Sequence, residues 1–185
     1  RFDSERLRSA LIAAGLLLLV KEDYGLVVAA LGLVIGIRTR RWMLAFAVAA
    51  VGLVATVLSY QVFIPAAGGK SGYYWDYYAA LGPGPLSALW HVVRHPLSTL
   101  HLATTPHDKS RLLEWLFAPL GFWSLGSPYV LLAVPLLVER LVSSNPNHWT
   151  LTHQYSAPLV PILFMAAIDF AAKLRRAVEG ARAIG

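Results

Sequence analysis

Three consecutive charged residues, Lys21, Glu22 and Asp23, interrupt an apolar stretch that otherwise runs from Leu7 to Ile37. The arm before them reads LRSALIAAGLLLLV and the arm after them YGLVVAALGLVIGI, with Arg8 the only charge in either. Each arm of about 14 residues reaches only ~21 Å as an α-helix, against a bilayer core of ~30 Å. The arms are therefore expected to form a pair of short membrane helices whose charged junction lies at or below the outer membrane surface. Charges held at that depth are costly and face a protein interior or a watery cavity. Function is expected there.

Composition supports the membrane reading. Of the 185 residues, 57% are hydrophobic and 14% charged, where soluble domains carry ~45–50% apolar and ~25% charged residues. The chain has no cysteine, which excludes disulfides and thiolate metal sites. A net charge of +6 does not point to nucleic acid. Arg1, Arg6, Arg8, Arg38, Arg40, Arg41, Lys173, Arg175, Arg176 and Arg182 flank the ends of apolar segments, which is the positive-inside pattern. The chain starts at Arg1 without a signal-peptide pattern, so a piece of a longer protein is expected, lacking an N-terminal part.

The expected fold class is all-α: a polytopic membrane helix bundle of about six crossings, forming a single domain over residues 1–185. Three membrane helices occupy 1–64, at about Leu7–Val20, Tyr24–Ile37 and Trp42–Ile64. An outer region over 65–111 is broken by Pro83, Pro85 and Pro96 and is expected to hold short interfacial helices. Three further membrane helices and a cytoplasmic tail occupy 112–185. RLLEWLFAPLGFWSLG and SPYVLLAVPLLVERLVSS form either two crossings or one re-entrant hairpin, because their junction carries no charge. The last helix is expected from about Leu159 to Leu174. All basic clusters then fall on one side.

KED after a run of leucines, YYWDYYAALG, FAPLGFWSLGSP, AVPLLVERLVSS and HQYSAPLVP follow one another in this order. Together they resemble the second half of a bacterial family of predicted polytopic membrane proteins of unknown function. That family is grouped with the C-type glycosyltransferases, membrane enzymes that take sugars from polyprenyl-phosphate donors. The likeness spans about Leu7 to Phe170. It implies a multi-pass protein of the bacterial plasma membrane that transfers sugar at the outer face. In that superfamily the catalytic carboxylate usually lies in the first large outer loop, which here would precede Arg1. In the family the histidine and tyrosine of the last outer loop are adjacent, whereas Gln154 separates His153 from Tyr155 here.

Lys21 offers a compact point charge to a lipid phosphate. Glu22 and Asp23 are the catalytic candidates within this chain: a carboxylate pair can orient an acceptor hydroxyl or take up a divalent cation. The plainer reading is a polar turn with its charges in water and Lys21 snorkelling. Tyr73, Tyr74, Trp75, Tyr77 and Tyr78 surround Asp76 and can stack on a sugar whose hydroxyl Asp76 binds. An interfacial aromatic belt explains the rings as well, but not Asp76. His148, Trp149, His153 and Tyr155 line the last outer loop, where His153 and Tyr155 are candidate substrate contacts. The two histidines lack the i, i+4 helical spacing of zinc motifs, so no metal site is read there. His91, His95, His101 and His107 read as surface or packing residues. Arg94 and Arg140 are secondary phosphate contacts, and Asp169 pairs with Lys173 one helical turn away.

Three functions fit these features. The first is a glycosyltransferase-like membrane protein whose partners are membrane lipid and a polyprenyl-phosphate sugar donor. The second is a transporter or lipid-handling protein with its site at the broken Leu7–Ile37 pair. The third is a membrane scaffold without catalysis.

Overall fold

A computed structural model describes residues 4–69, 73–150 and 154–182, with the side chains of residues 4, 73, 74 and 85 outside the description. Every regular element among the described residues is helical. Helix α1 (Ser4–Leu17) leads through the charged junction into α2 (Tyr24–Thr39). A two-residue link at Arg40 and Arg41 opens α3, which runs from Trp42 to Ala66 with a π-helical stretch at Ser59–Phe63. The 3-10 segment Tyr73–Leu81 follows, and then three short helices, α4 (Pro85–Arg94), α5 (Pro96–Thr104) and α6 (His107–Phe117). Single 3-10 segments at Ala118–Leu120, Trp123–Gly126 and Pro128–Leu132 lead to α7 (Val134–Val142). The turn Pro146–Trp149 and the 3-10 segment Gln154–Ser156 precede the last helix, α8 (Leu159–Arg182).

Helix α2 is the hub. Val27 and Val34, seven residues apart and so on one face, pack with Leu112, Leu116, Leu132, Leu136, Leu159 and Leu163. Val28 and Ile35 pack with Leu7 and Ala14 of α1 and Val48 of α3. Its glycines set the distance to α3. A Cβ on Gly32 would lie 2.5 Å from the Ala45 carbonyl oxygen, and one on Gly25 would lie 2.5 Å from that of Gly52. Gly32 and Gly36 have the small-xxx-small spacing that lets membrane helices approach backbone to backbone. A helix apolar on all sides has to be covered, and α2 is covered by protein except at Leu33 and Ile37, which stay exposed.

Two helices are long and apolar enough to cross a membrane, Trp42–Ala66 and Gln154–Arg182. At 25 residues the first reaches ~37 Å. Among the described residues they are the two of that length, where about six crossings were expected. Helix α1, at 14 residues, and α2, at 16, are short, as the arms imply. The stretch from His107 to Val142 is a broken hairpin rather than two continuous helices. Pro119 ends the first limb, Pro128 opens a 3-10 segment, and Pro135 sits at the start of α7, each ring removing a backbone donor. The hairpin nonetheless follows α8 for several turns. Leu116 packs with Leu163, the Trp123 and Phe170 rings meet edge to face at 6.3 Å, and Ser127 donates to Asp169 at 2.6 Å.

Helix α8 continues to Arg182, eight residues past the expected end at Leu174. The apolar run stops at Leu174, but Arg, Ala and Glu are good helix formers, so the helix carries its basic residues onward. Arg38 pairs with Asp169, which sits one turn before Lys173. The RTRR and KLRR clusters therefore share one end of the bundle.

The glycine contact makes a direct prediction. Gly52→Val is expected to separate α2 from α3 and to cost about 1–3 kcal/mol, lowering the thermal midpoint of the purified protein in detergent. Gly180→Ala, at a position where a Cβ meets nothing within 4 Å, is expected to leave it unchanged or slightly raised. Equal midpoints for the two variants would contradict the close-packed seam.

Candidate functional site

The charged junction is drawn into the protein by the helix that follows it. Asp23 immediately precedes α2 and is only 4% exposed. It forms an ion pair with Lys21 and accepts a hydrogen bond from the Tyr60 hydroxyl at 3.1 Å. Tyr60 belongs to the π-helical stretch of α3, and α3 continues six residues beyond it to Ala66. The Tyr60 backbone itself lies about 9 Å of helix rise before the end of α3. Asp23 is thus no solvated turn residue, while the Lys21 side chain remains 41% exposed.

A second wall faces this junction. The Tyr78 hydroxyl donates to Glu139 of α7 at 3.2 Å across 61 residues of sequence. Lys21 and Glu22 both lie close enough to act electrostatically on Glu139. The next residue, Arg140, is 4% exposed. Its Nε donates to the His148 carbonyl and its Nη1 to Ser156 Oγ at 3.2 Å. Its Nη2 is buried with no hydrogen-bond partner. The backbone N–H of Ser144 donates to the Tyr77 carbonyl at 2.8 Å, which ties the aromatic segment to the end of α7.

His148 is clasped between two phenol rings, Tyr77 at 5.6 Å and Tyr155 at 4.9 Å between centroids. Burial holds its pKa below the ordinary histidine value, and the positive charges of Lys21 and Arg140 push the same way. Burial, with Glu139 beside it, pushes the Tyr78 phenol up. Two basic side chains, one carboxylate with a phenol donor, and a neutral imidazole therefore face one another at the Lys21 end of the bundle. Such a set can hold an anion and exchange a proton.

The sequence-derived candidates divide cleanly. Lys21, Glu22, Asp23, Arg140 and Tyr155 belong to this neighbourhood. Asp76 is exposed, and Arg94 stacks its guanidinium over Trp90, 4.2 Å from the ring centroid, in α4. His153 and the Tyr74 side chain lie outside the described residues. Glu139, Tyr78, His148 and Tyr60 complete the cluster without having been singled out as ligands. Glu139 and Arg140 had a signal, since they interrupt the apolar run VPLLVERLV as Lys21-Glu22-Asp23 interrupts its own. No group of three or more His, Asp or Glu among the described residues is placed to hold a metal ion. The expected Asp169–Lys173 pair forms at 2.8 Å. It is part of a larger network at the other end, where Asp169 also engages Arg38 and Ser127 and Arg38 lies 4.8 Å from the Tyr129 ring centroid.

A helical bundle with apolar helices of membrane length and a polar cluster at one end defines an integral membrane protein. The chain belongs to the family described as "Predicted membrane protein (DUF2079)", whose model matches residues 3–184. No curated protein and no solved structure matches it.

The buried imidazole predicts a pH dependence. Because the folded-state pKa is depressed, the unfolded chain binds the proton first. The contribution is fully present above the ordinary value of ~6.5 and is lost as pH falls through the lower folded value. The thermal midpoint is expected to fall between pH 7.5 and 5, and His148→Asn is expected to flatten part of that slope. An unchanged slope in the variant would show that His148 titrates normally.

Proposed function

We propose that Lys21 and Arg140 receive the phosphate of a polyprenyl-phosphate sugar at the outer face of a bacterial plasma membrane. The chain is then part of a multi-pass, glycosyltransferase-like protein with about six passes, two of them full-length helices and the others short or broken. One observation carries this reading. Arg140 is buried with an unpartnered N–H group, and leaving such a donor unmade costs several kcal/mol for a charged group, on the order of 1–3 at least. A phosphate oxygen supplies the missing acceptor. His148 lies beside this cluster, its cationic form disfavoured first by burial and then by the charges of Lys21 and Arg140.

In the reaction an acceptor hydroxyl attacks the anomeric carbon and a carboxylate takes its proton. The bond from that carbon to the phosphate oxygen breaks, and the leaving phosphate stays on the cations. Asp23 is held by Lys21 and Tyr60 and Glu139 by Tyr78, which leaves Glu22 as the freer carboxylate of this cluster. Tyr77 and Tyr155 supply ring faces for the sugar and Asp76 is a peripheral contact, while Tyr74 and His153 stay candidates on the sequence alone. A transporter is the second reading. It is favoured by the unwound stretch Ala118–Leu132 between α6 and α7, since broken segments at depth line substrate paths in such proteins.

Lys21→Ala and Arg140→Gln are each expected to weaken binding of polyprenyl phosphate about tenfold, the loss of one charge-assisted hydrogen bond. Titration of the purified protein, followed by tryptophan fluorescence, reads this directly. Uncharged polyprenol binding as tightly as the phosphate, or both variants binding like the parent, would rule out the phosphate site. Release of polyprenyl phosphate from a polyprenyl-phosphate sugar in vesicles separates transfer from transport.

A further inference from the structure

The segment from Pro85 to Thr104 presents its amphipathicity outward. In α4, Leu86, Leu89, Trp90 and Val93 recur at i, i+3, i+4 and i+7 and so form one helical stripe. In a soluble domain such a stripe turns to the core. Here all four, together with Leu97 and Leu100 of α5, are at least 57% exposed. The opposite side is the polar one, where Ser87 Oγ caps the helix start by accepting from Gly84 N–H at 2.9 Å. The Lys109 ammonium donates to the Leu102 carbonyl at 2.8 Å and anchors α5 to α6, which leaves α4 as the outermost element. Because the preceding segment Tyr73–Leu81 contacts Glu139 and His148, the pair stands at the Lys21 end of the bundle.

Charge identifies what covers the stripe. Between Asp76 and Asp108 there is no acidic residue, while Arg94, His91, His95, His101 and His107 all lie there. Arg94 stacks over Trp90 at 4.2 Å. An arginine on an indole beside an aliphatic stripe is the arrangement of the headgroup level of a bilayer, with Trp at the boundary and Leu and Val below it.

We propose that α4 and α5 form a paddle that docks on an anionic lipid surface, with the Leu and Val side chains in the hydrocarbon and Arg94 on a lipid phosphate. The paddle is independent of the Arg140 cluster. It assigns Arg94 to bulk lipid rather than to the substrate.

The absence of cysteine lets a single introduced thiol report alone. Leu89→Cys and Leu97→Cys, both at exposed positions, are labelled with a nitroxide. The protein is then reconstituted into vesicles of phosphatidylcholine, with or without phosphatidylglycerol. Collision with oxygen and with a water-soluble nickel complex reports depth. The labels are expected to prefer oxygen strongly in phosphatidylglycerol vesicles. Their lipid-inserted population is expected to exceed that in neutral vesicles about fivefold, the gain from one basic residue at an anionic surface. Arg94→Gln is expected to remove the difference and Arg94→Lys to keep it. Labels open to nickel in both vesicles would overturn the proposal. So would shielding from both reagents, which means that protein or a second copy covers the stripe. Insertion indifferent to lipid charge or to Arg94→Gln would overturn it too.

Discussion

The close contact of α2 with α3 governs the rest of the molecule. Glycines at 25, 32 and 52 bring the two backbones together and Gly36 makes room for the Trp42 ring, so that no side chain other than hydrogen fits at these positions. Once α2 is held against α3, its other faces have to be covered, and they take α1 on one side and the broken hairpin on the other. Helix α2 is also shorter than its partner, so its first residue lies well inside the length of α3. The charged junction has nowhere to go but inward. Asp23 meets Tyr60 of α3 because the seam places them at one level.

The hairpin shows how the protein tolerates irregular backbone alongside its long apolar helices. Non-helical backbone at depth is stable where it is buried in protein, and here it lies between α2 and α8. Gly121 takes a left-handed conformation at φ +56°, and Phe122 follows it at +60°, which reverses the chain after α6. At Gly126 the backbone passes so close to Phe170 that a Cβ would collide with the ring. These breaks let the hairpin run from Trp149 at one end to Asp169 at the other without a continuous helix. They also deliver Glu139 and Arg140 back to the level of Lys21.

Features carried by local sequence were readable. The length of the apolar run located α3 from Trp42 to within two residues of its end at Ala66. The prolines at 83, 85 and 96 divided the outer region into short helices. The junction at Lys21 declared itself because charge in an apolar run has few explanations. What escaped depends on separation in sequence. Tyr78 and Glu139 are 61 residues apart and Arg38 and Asp169 are 131 apart, so neither pair leaves a local trace. His148 was read beside His153 as one loop, whereas its position between Tyr77 and Tyr155 is set by the packing of three segments. The glycine spacing on α2 was available in the sequence, but apolar periodicity masked it, because glycine adds nothing to a hydrophobic stripe.

The two polar ends of the bundle differ in a way that bears on function. At the Arg38 end, Asp169 draws Arg38, Lys173 and Ser127 to a single carboxylate, joining α2, the hairpin and α8. A half-buried ion pair of this kind gives little net stability but fixes which elements meet. At the Lys21 end the balance is reversed. Asp23 is occupied by Lys21 and Tyr60, Glu139 by Tyr78, and Arg140 is held only by a carbonyl and a hydroxyl. Neutral acceptors take two of the guanidinium nitrogens and leave Nη2 without a partner. One end closes the helices together, and the other keeps an unfilled charge within their reach. Glu139 beside it balances part of that charge without bonding to the guanidinium, and one Arg140 N–H group stays without an acceptor.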